Sequence, residues 1–314
     1  MSKIAVLFPG QGAQFVGMGR VFYDTFSVAR AVFDQAASVL GDALLDTIFN
    51  GPEEALQKTE TTQPAILTTS IAVYRVLEDL GCRADRVAGL SLGEYSALVA
   101  AGALSLQEAL PLVQKRGRYM QEAVPLGQGS MAAVMGLSKD QIEAVCREAS
   151  SAGVVTPANY NCPGQVVISG GKEAVQYALT LAREAGAKKM VELKVSAPFH
   201  CALMEPVEQR LADELNKVNF SSPRIPVVFN VSASYESDPA RIKENLVKQV
   251  SHPILWEQSM RLLYASGLDA FIDVGPGSTL AKLMKRIEPS VYTAAVEDSD
   301  SLGKVCRHLE GAVI

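Results

Sequence analysis

The chain has 314 residues and a formal net charge of −5, and 48% of its residues are apolar. That length holds one large domain, or a large and a small one, with a sizeable core. The acidic balance excludes a general nucleic-acid binder, and apolar runs such as "YSALVAAGAL" are too short and too broken by glycine to span a bilayer, so neither nucleic acid nor a membrane is expected as a partner.

The N-terminal "MSKIAVLFPG" carries one lysine and a strand-length apolar run that stops at Pro-Gly, unlike a secretory signal. A cytoplasmic protein is expected. Cys82, Cys146, Cys162, Cys201 and Cys306 are odd in number, scattered and never in a CxxC pair, which predicts reduced thiols and no metal site. The strand "KIAVLF" runs into "FPGQGAQFVGMG". This loop fails as a dinucleotide fingerprint, because with Gly10 and Gly12 as the first glycines the third position is Phe15, and Pro9 enters the turn. It serves either as an ordinary tight turn or as a presenter of backbone N–H groups, here that of Gln11, to a developing negative charge.

Helical segments follow to Leu80, and the strand "RVAGL" then enters "GLSLGEYSALVAAG". Ser91, with Glu94 three residues on, fits a capping box that starts a helix. Gly89 and Gly93 equally fit a nucleophile elbow, where small residues let the chain fold tightly around a strained serine. The next segment, "SLQEALPLVQKRGRYMQEAV", winds Leu106, Ala109, Leu110, Val113, Gly117 and Met120 onto one face. Arg116 stands at the margin of that face, about 60° to 70° from its centre, while Lys115 and Arg118 point away. Arg116 is thus the cation best placed to enter a partly buried site and hold a carboxylate through two parallel hydrogen bonds. The alternative is an arginine whose stem merely passes the core on its way to water.

After "PLGQG" come the strand "SMAAVMG", the helix "SKDQIEAVCREASSA", the strands "VVTPANY" and "GQVVISG", the helix "KEAVQYALTLAREAG" and the strand "KKMVELKV". That βαββαβ order predicts a ferredoxin-like subdomain over 128–195. It interrupts an α/β domain made of 1–127 and 196–314, whose later strands are "IPVVFN" and "DAFIDVG". A site is expected in the cleft between the two bodies.

A serine nucleophile needs a base, and the chain has three histidines. His200 follows "SAPF" where the chain rejoins the large domain, so its loop can face the cleft. His252 precedes Pro253 in extended backbone, and His308 lies in a helix-like C-terminal stretch. His200 is therefore the best-placed base. Its neighbour Cys201 reads as a buried packing residue, since adjacent side chains seldom aim at each other. In "LAKLMKRI", Lys282, Lys285 and Arg286 beside an apolar stripe read as a solvated helix face.

Taken together, "FPGQGAQFVGMG", "GLSLGEYSALVAAGALS", "QKRGRYMQEA", "ANYNCPGQVVISG", "SAPFHCALMEPV", "QVSHPILWEQSM" and "DVGPGSTLAKLMK" resemble the malonyl-CoA:acyl carrier protein transacylase family. These are stand-alone acyltransferases of fatty-acid synthesis, related to polyketide synthase acyltransferase domains. The resemblance covers nearly the whole chain. It implies an α/β-hydrolase-like large domain with a mainly parallel sheet and a ferredoxin-like insertion. It also implies ping-pong transfer of malonyl from malonyl-CoA to the phosphopantetheine thiol of an acyl carrier protein of fatty-acid or, alternatively, polyketide synthesis. In that scheme Ser91 is the nucleophile, His200 its base, the N–H groups of Gln11 and Leu92 the oxyanion hole, and Arg116 the grip on the malonyl carboxylate. The backbone carbonyl of Gln249 orients His200, and Phe199 is similar to malonyl-selecting members. No cofactor and no metal are expected, and the protein is expected to be a monomer. Leu90 stands where many relatives have histidine, a departure that touches local packing and cleft polarity.

Two rival readings fit less well. An esterase usually has its histidine late and in a loop, whereas His308 sits in a helix-like segment. A non-catalytic carrier-binding module has no need of both Ser91 and His200.

Overall fold

The structure is a computed structural model that describes residues 3–193, 195 and 197–311. The expected return point at Ser196 lies outside the described residues, as does Lys194 of "KKMVELKV". Among those described, ten strands run in order: β1 (Ile4–Phe8), β2 (Arg86–Gly89), β3 (Gly129–Met135), β4 (Val155–Cys162), β5 (Gln165–Gly171), β6 (Lys189–Glu192), β7 (Val227–Phe229), β8 (Ser234–Glu236), β9 (Ala270–Val274) and β10 (Tyr292–Val296).

The larger sheet has the order β10-β9-β1-β2-β7-β8 and is parallel except for β8, which returns onto β7. All of β1 is buried. Ile4, Val6 and Phe8 belong to one apolar cluster and Ala5 and Leu7 to another. A strand covered on both faces needs an apolar residue at every position, which is why "IAVLF" shows no alternation. The sequence pattern does not announce β8, which is three residues long, or β10, which is buried only at Val296.

The smaller sheet, β4-β5-β3-β6, is antiparallel throughout. The helices Lys139–Ala149 and Lys172–Glu184 share one apolar cluster with it, completing the expected ferredoxin-like body. Ser138 and Gln141 start the first of these helices with a full capping box. The strand of "KKMVELKV" is shorter than the apolar run suggests. The two bodies are joined by main chain: Tyr160 N–H donates to Ile254 O at 2.9 Å, and Ile254 N–H to Ala158 O at 2.8 Å. In the Thr279–Ile287 helix Leu280, Leu283, Met284 and Ile287 are buried while Lys282, Lys285 and Arg286 are exposed, as the sequence pattern requires. No helix among the described residues is long and apolar enough to cross a membrane.

Two crossing helices set the floor of the site. The Leu106–Glu122 helix passes the Thr59–Asp79 helix so closely that a Cβ on Gly117 would stand 2.5 Å from the Thr59 carbonyl oxygen. Only glycine permits this approach, which brings Arg116 against Gln63. Gly117→Ala is expected to cost about 1–3 kcal/mol of stability through overpacking against backbone. Urea unfolding measures it, and a change within about 0.5 kcal/mol, as at an ordinary surface site, would contradict this packing.

Candidate active site

The strand-to-helix turn is built by backbone-to-backbone contact. A Cβ on Gly89 would lie 1.8 Å from the carbonyl carbon of Gly93, one on Gly93 would lie 2.0 Å from Phe8 O, and one on Gly10 would lie 2.4 Å from Leu90 O. Leu90 N–H donates to Phe8 O at 3.0 Å. Three glycines therefore let the loop after β1 dock directly on the turn that carries Ser91, which is the physical reason for both glycine-rich motifs. The N–H groups of Gln11 and Leu92, one from each loop, are not taken by another group of the protein among the described residues.

Ser91 sits in left-handed backbone with φ 53, a conformation that costs a non-glycine residue about 1–2 kcal/mol. The capping box spelled by Ser91 and Glu94 does not form. The following helix is Gly93–Ala100, its N-cap position is Leu92, and no side chain caps it. Both side chains are engaged elsewhere. Ser91 Oγ faces His200, and a Glu94 oxygen accepts from Asn230 N–H at 2.6 Å.

Ser91 Oγ lies 2.8 Å from His200 Nε2. On the other side of the ring, Nδ1 is 2.7 Å from the Gln249 carbonyl oxygen. A carbonyl only accepts, so Nδ1 carries the proton and the lone pair of Nε2 faces the serine hydroxyl. That carbonyl is free because Gln249 is the last residue of the Pro239–Gln249 helix, where four carbonyls lack intrahelical partners. His200, like Ser91, has positive φ, 60. Burial first, then the Arg116 charge, push its imidazole down to about 3, against the Gln249 carbonyl, which raises it. The ring is thus neutral at physiological pH, with the lone pair of Nε2 turned to the serine hydroxyl.

Arg116 is only 1% exposed, so it does not run past the core to water. Its guanidinium donates to Gln63 Oε1 at 2.9 Å, to Gln249 Oε1 at 2.8 Å and to Ser91 Oγ at 3.2 Å, and it lies over the Tyr95 ring at 5.4 Å. The nearby carboxyl of Glu94 is fully buried, and burial pushes it up to about 8, outweighing the lowering by Asn230 N–H, Gln249 and Arg116. Burial also lowers the pKa of Arg116, but a guanidinium stays charged in proteins. The site therefore holds a cation, solvated by neutral amides, one hydrogen bond from a serine hydroxyl.

Phe199 is buried just before His200. Cys201 Sγ donates to Pro198 O at 3.1 Å, and burial pushes its thiol up. Lys115 pairs with Glu214, and Arg118 is exposed. His252 caps Lys248 O, and His308 stacks on Tyr292 with ring centroids 3.4 Å apart. No group of three or more metal-binding side chains occurs among the described residues. Gln63 and Asn230 are the residues that the sequence reading misses. Gln63 sits in the uniform run "TTQPAILTTS", and Asn230 ends "IPVVFN", so neither has a local signal.

A hydroxyl, a neutral imidazole and a buried cation meet around one point, and the family described as "Acyl transferase domain" matches residues 6–313, which makes the chain an acyltransferase. The chain is 45% identical over 303 residues, 96% of each protein, to the malonyl CoA-acyl carrier protein transacylase of Bacillus subtilis. It is similar, with TM-score 0.94 and 44% identity over 97% of this chain and 100% of the other, to the crystal structure of an acyl carrier protein S-malonyltransferase from Vibrio cholerae. A malonyl-transacylase solved in complex with its type II PKS acyl-carrier protein aligns with TM-score 0.95 and 42% identity, over 98% and 100% of the two chains. This chain belongs to the malonyl CoA-acyl carrier protein transacylase family.

Because the His200 pKa is lowered, the ring gains its proton only well below the usual 6.5. Labelling of Ser91 by a fluorophosphonate is expected to stay level from pH 7 to about pH 5 and to fall only at more acidic pH. A labelling rate that halves near pH 6.5 would show an ordinary solvated histidine instead.

Proposed function

We propose that this protein transfers the malonyl group of malonyl-CoA to the pantetheine thiol of an acyl carrier protein of fatty-acid synthesis. Ser91 Oγ attacks the thioester carbonyl and gives its proton to His200 Nε2. The oxygen that becomes negative is met by the N–H groups of Gln11 and Leu92. Collapse expels the coenzyme A thiolate, which takes the proton back from the imidazolium. The carrier thiol then loses its proton to His200 and attacks the carbonyl of malonyl-Ser91; collapse breaks the bond to Ser91 Oγ, which takes the proton back from the imidazolium, and the malonyl thioester of the carrier leaves. The Gln249 carbonyl holds the ring throughout, so the base needs no third acidic residue. Every step uses groups of one chain and its two substrates, so this scheme requires no cofactor, and in it the protein works as a cytoplasmic monomer.

The observation that carries this reading is Arg116: a fully buried guanidinium 3.2 Å from Ser91 Oγ, held by two neutral amides. An acyl group with a free carboxylate meets a charge there, and two parallel hydrogen bonds orient it. An acetyl group offers no charge and sets a methyl against the guanidinium. Phe199, buried just before His200 in the chain, is assigned to selectivity for malonyl, because it is similar to the malonyl-selecting members of the family. The large body, 1–127 and 196–314, and the ferredoxin-like body, 128–195, act as the two walls of the substrate cleft. The likeness to a transacylase bound to a polyketide carrier supports a protein acceptor and keeps a polyketide carrier as the second reading.

Mass spectrometry after brief exposure to malonyl-CoA is expected to show one malonyl adduct on the wild type and none on Ser91→Ala. Prompt hydrolysis with no carrier-dependent transfer would favour an esterase. Arg116→Ala leaves a carboxylate without its partner, at a cost of about 3 kcal/mol or more. Malonyl transfer should then fall about 100-fold, with acetyl transfer spared. An unchanged malonyl-to-acetyl ratio would refute the clamp.

A further inference from the structure

The strained turn at Ser91 needs something to hold it, and the groups that do so are not those that meet substrate. Asn230 follows the last residue of β7, which pairs with β2 in parallel register, Val87 opposite Val227 and Ala88 opposite Val228. Beyond that pairing the backbone of β2 turns into the elbow, and the Asn230 side chain replaces the missing strand partner. Its Nδ2 donates to Gly89 O at 2.7 Å, and its Oδ1 accepts from Ser91 N–H at 2.7 Å. One amide thus bridges the carbonyl two residues before Ser91 and the N–H of Ser91 itself.

The amide cannot be turned over, because its NH₂ would then face an N–H and its oxygen a carbonyl. Its own position is fixed from three sides. Asn230 N–H donates to Glu94, Asn230 O accepts from Leu255 N–H at 2.8 Å, and Oδ1 also accepts from Gln249 Nε2 at 3.3 Å. Gln249 Nε2 in turn donates to Ser91 O at 3.0 Å. Both main-chain polar groups of Ser91 are therefore held by side-chain amides. Asn230 is fully buried.

We infer that Asn230 is a positioning residue for the proposed reaction: its amide holds Ser91 in the left-handed turn that aims Oγ at His200. The inference rests on Ser91 being the nucleophile. Glu94 secures the Asn230 backbone from behind and Gln249 couples the elbow to Arg116, so the aim of the hydroxyl and the placement of the cation are set by one network. The chemistry demands an amide at this position. Leucine offers neither bond, and an ionised aspartate sets a charge against the Gly89 carbonyl. A protonated aspartate, by contrast, reproduces both bonds: its C=O accepts from Ser91 N–H and its O–H donates to Gly89 O.

That equivalence supplies the test. Single-turnover malonylation of Ser91 is followed by quenched intact-mass measurement for wild type, Asn230→Ala and Asn230→Asp at saturating malonyl-CoA, with thermal unfolding of each. The alanine variant should acylate about 100-fold more slowly, as for a misplaced nucleophile, with the loss in the acylation rate and not in KM. The aspartate variant should be as slow at pH 8 and recover at least about tenfold by pH 5.5, where its carboxyl is protonated. The charged and titratable groups facing this point are Glu94, Arg116 and His200, and all three are present in the wild type, whose rate should not rise. Should the alanine variant fail to fold, the aspartate variant at the two pH values decides alone. Folded variants that acylate at the wild-type rate, or an aspartate variant with no acid recovery, overturn the role of Asn230. A wild type that forms no adduct overturns the Ser91 reading itself.

Discussion

A guanidinium taken out of water must be solvated by something else. Arg116 is buried, and its partners are the side-chain oxygens of two glutamines, the Ser91 hydroxyl and the face of Tyr95. An ionised carboxylate would satisfy it more strongly and would also block it. Burial pushes the nearest carboxyl, Glu94, up to about 8, which disfavours its charged form. The hydrogen bonds that compensate the charge therefore come from neutral groups.

The rest of the centre follows from that constraint. The positive charge beside His200 helps hold the imidazole neutral, and its Nε2 faces the Ser91 hydroxyl with no acidic residue on the other side of the ring. A backbone carbonyl is then a sufficient orienting group, and the end of the Pro239–Gln249 helix supplies it. The same residue gives its side chain to Arg116 and to Ser91 O. Gln249 thus links His200, Arg116 and Ser91. Rigidity is obtained at close backbone contacts, where Gly10, Gly89, Gly93 and Gly117 each remove a Cβ that would otherwise hold two segments apart.

Much of this was legible in the sequence because it is local. The alternation of apolar strand runs with helical segments announces an α/β body, and the βαββαβ order announces the insertion. GxSxG marks the turn, and the position of Arg116 on a helical face marks it as the cation nearest the core. The capping box at Ser91 and Glu94 shows where local reading fails. The spacing is right, but Asn230 N–H, 136 residues away, and His200 offer the two side chains better partners than the helix end does. Gln63 and Asn230 escaped notice for a related reason. An amide in a helix or at a strand end has no periodicity or spacing to betray it, and its importance lies wholly in what folds against it.

By itself, the sequence determined which groups are available and how each segment bends: a serine between glycines, a histidine at a junction, an arginine beside an apolar stripe, and small residues where loops turn. Those properties depend on neighbours along the chain. Only the tertiary structure decided that Ser91, Arg116, His200 and Gln249 meet at one point, that the Gln249 carbonyl fixes the imidazole tautomer, and that burial raises the Glu94 pKa. Hydrogen bonding and desolvation depend on distance through space, and a chain that joins residues 63, 91, 116, 200, 230 and 249 does so only after it has folded.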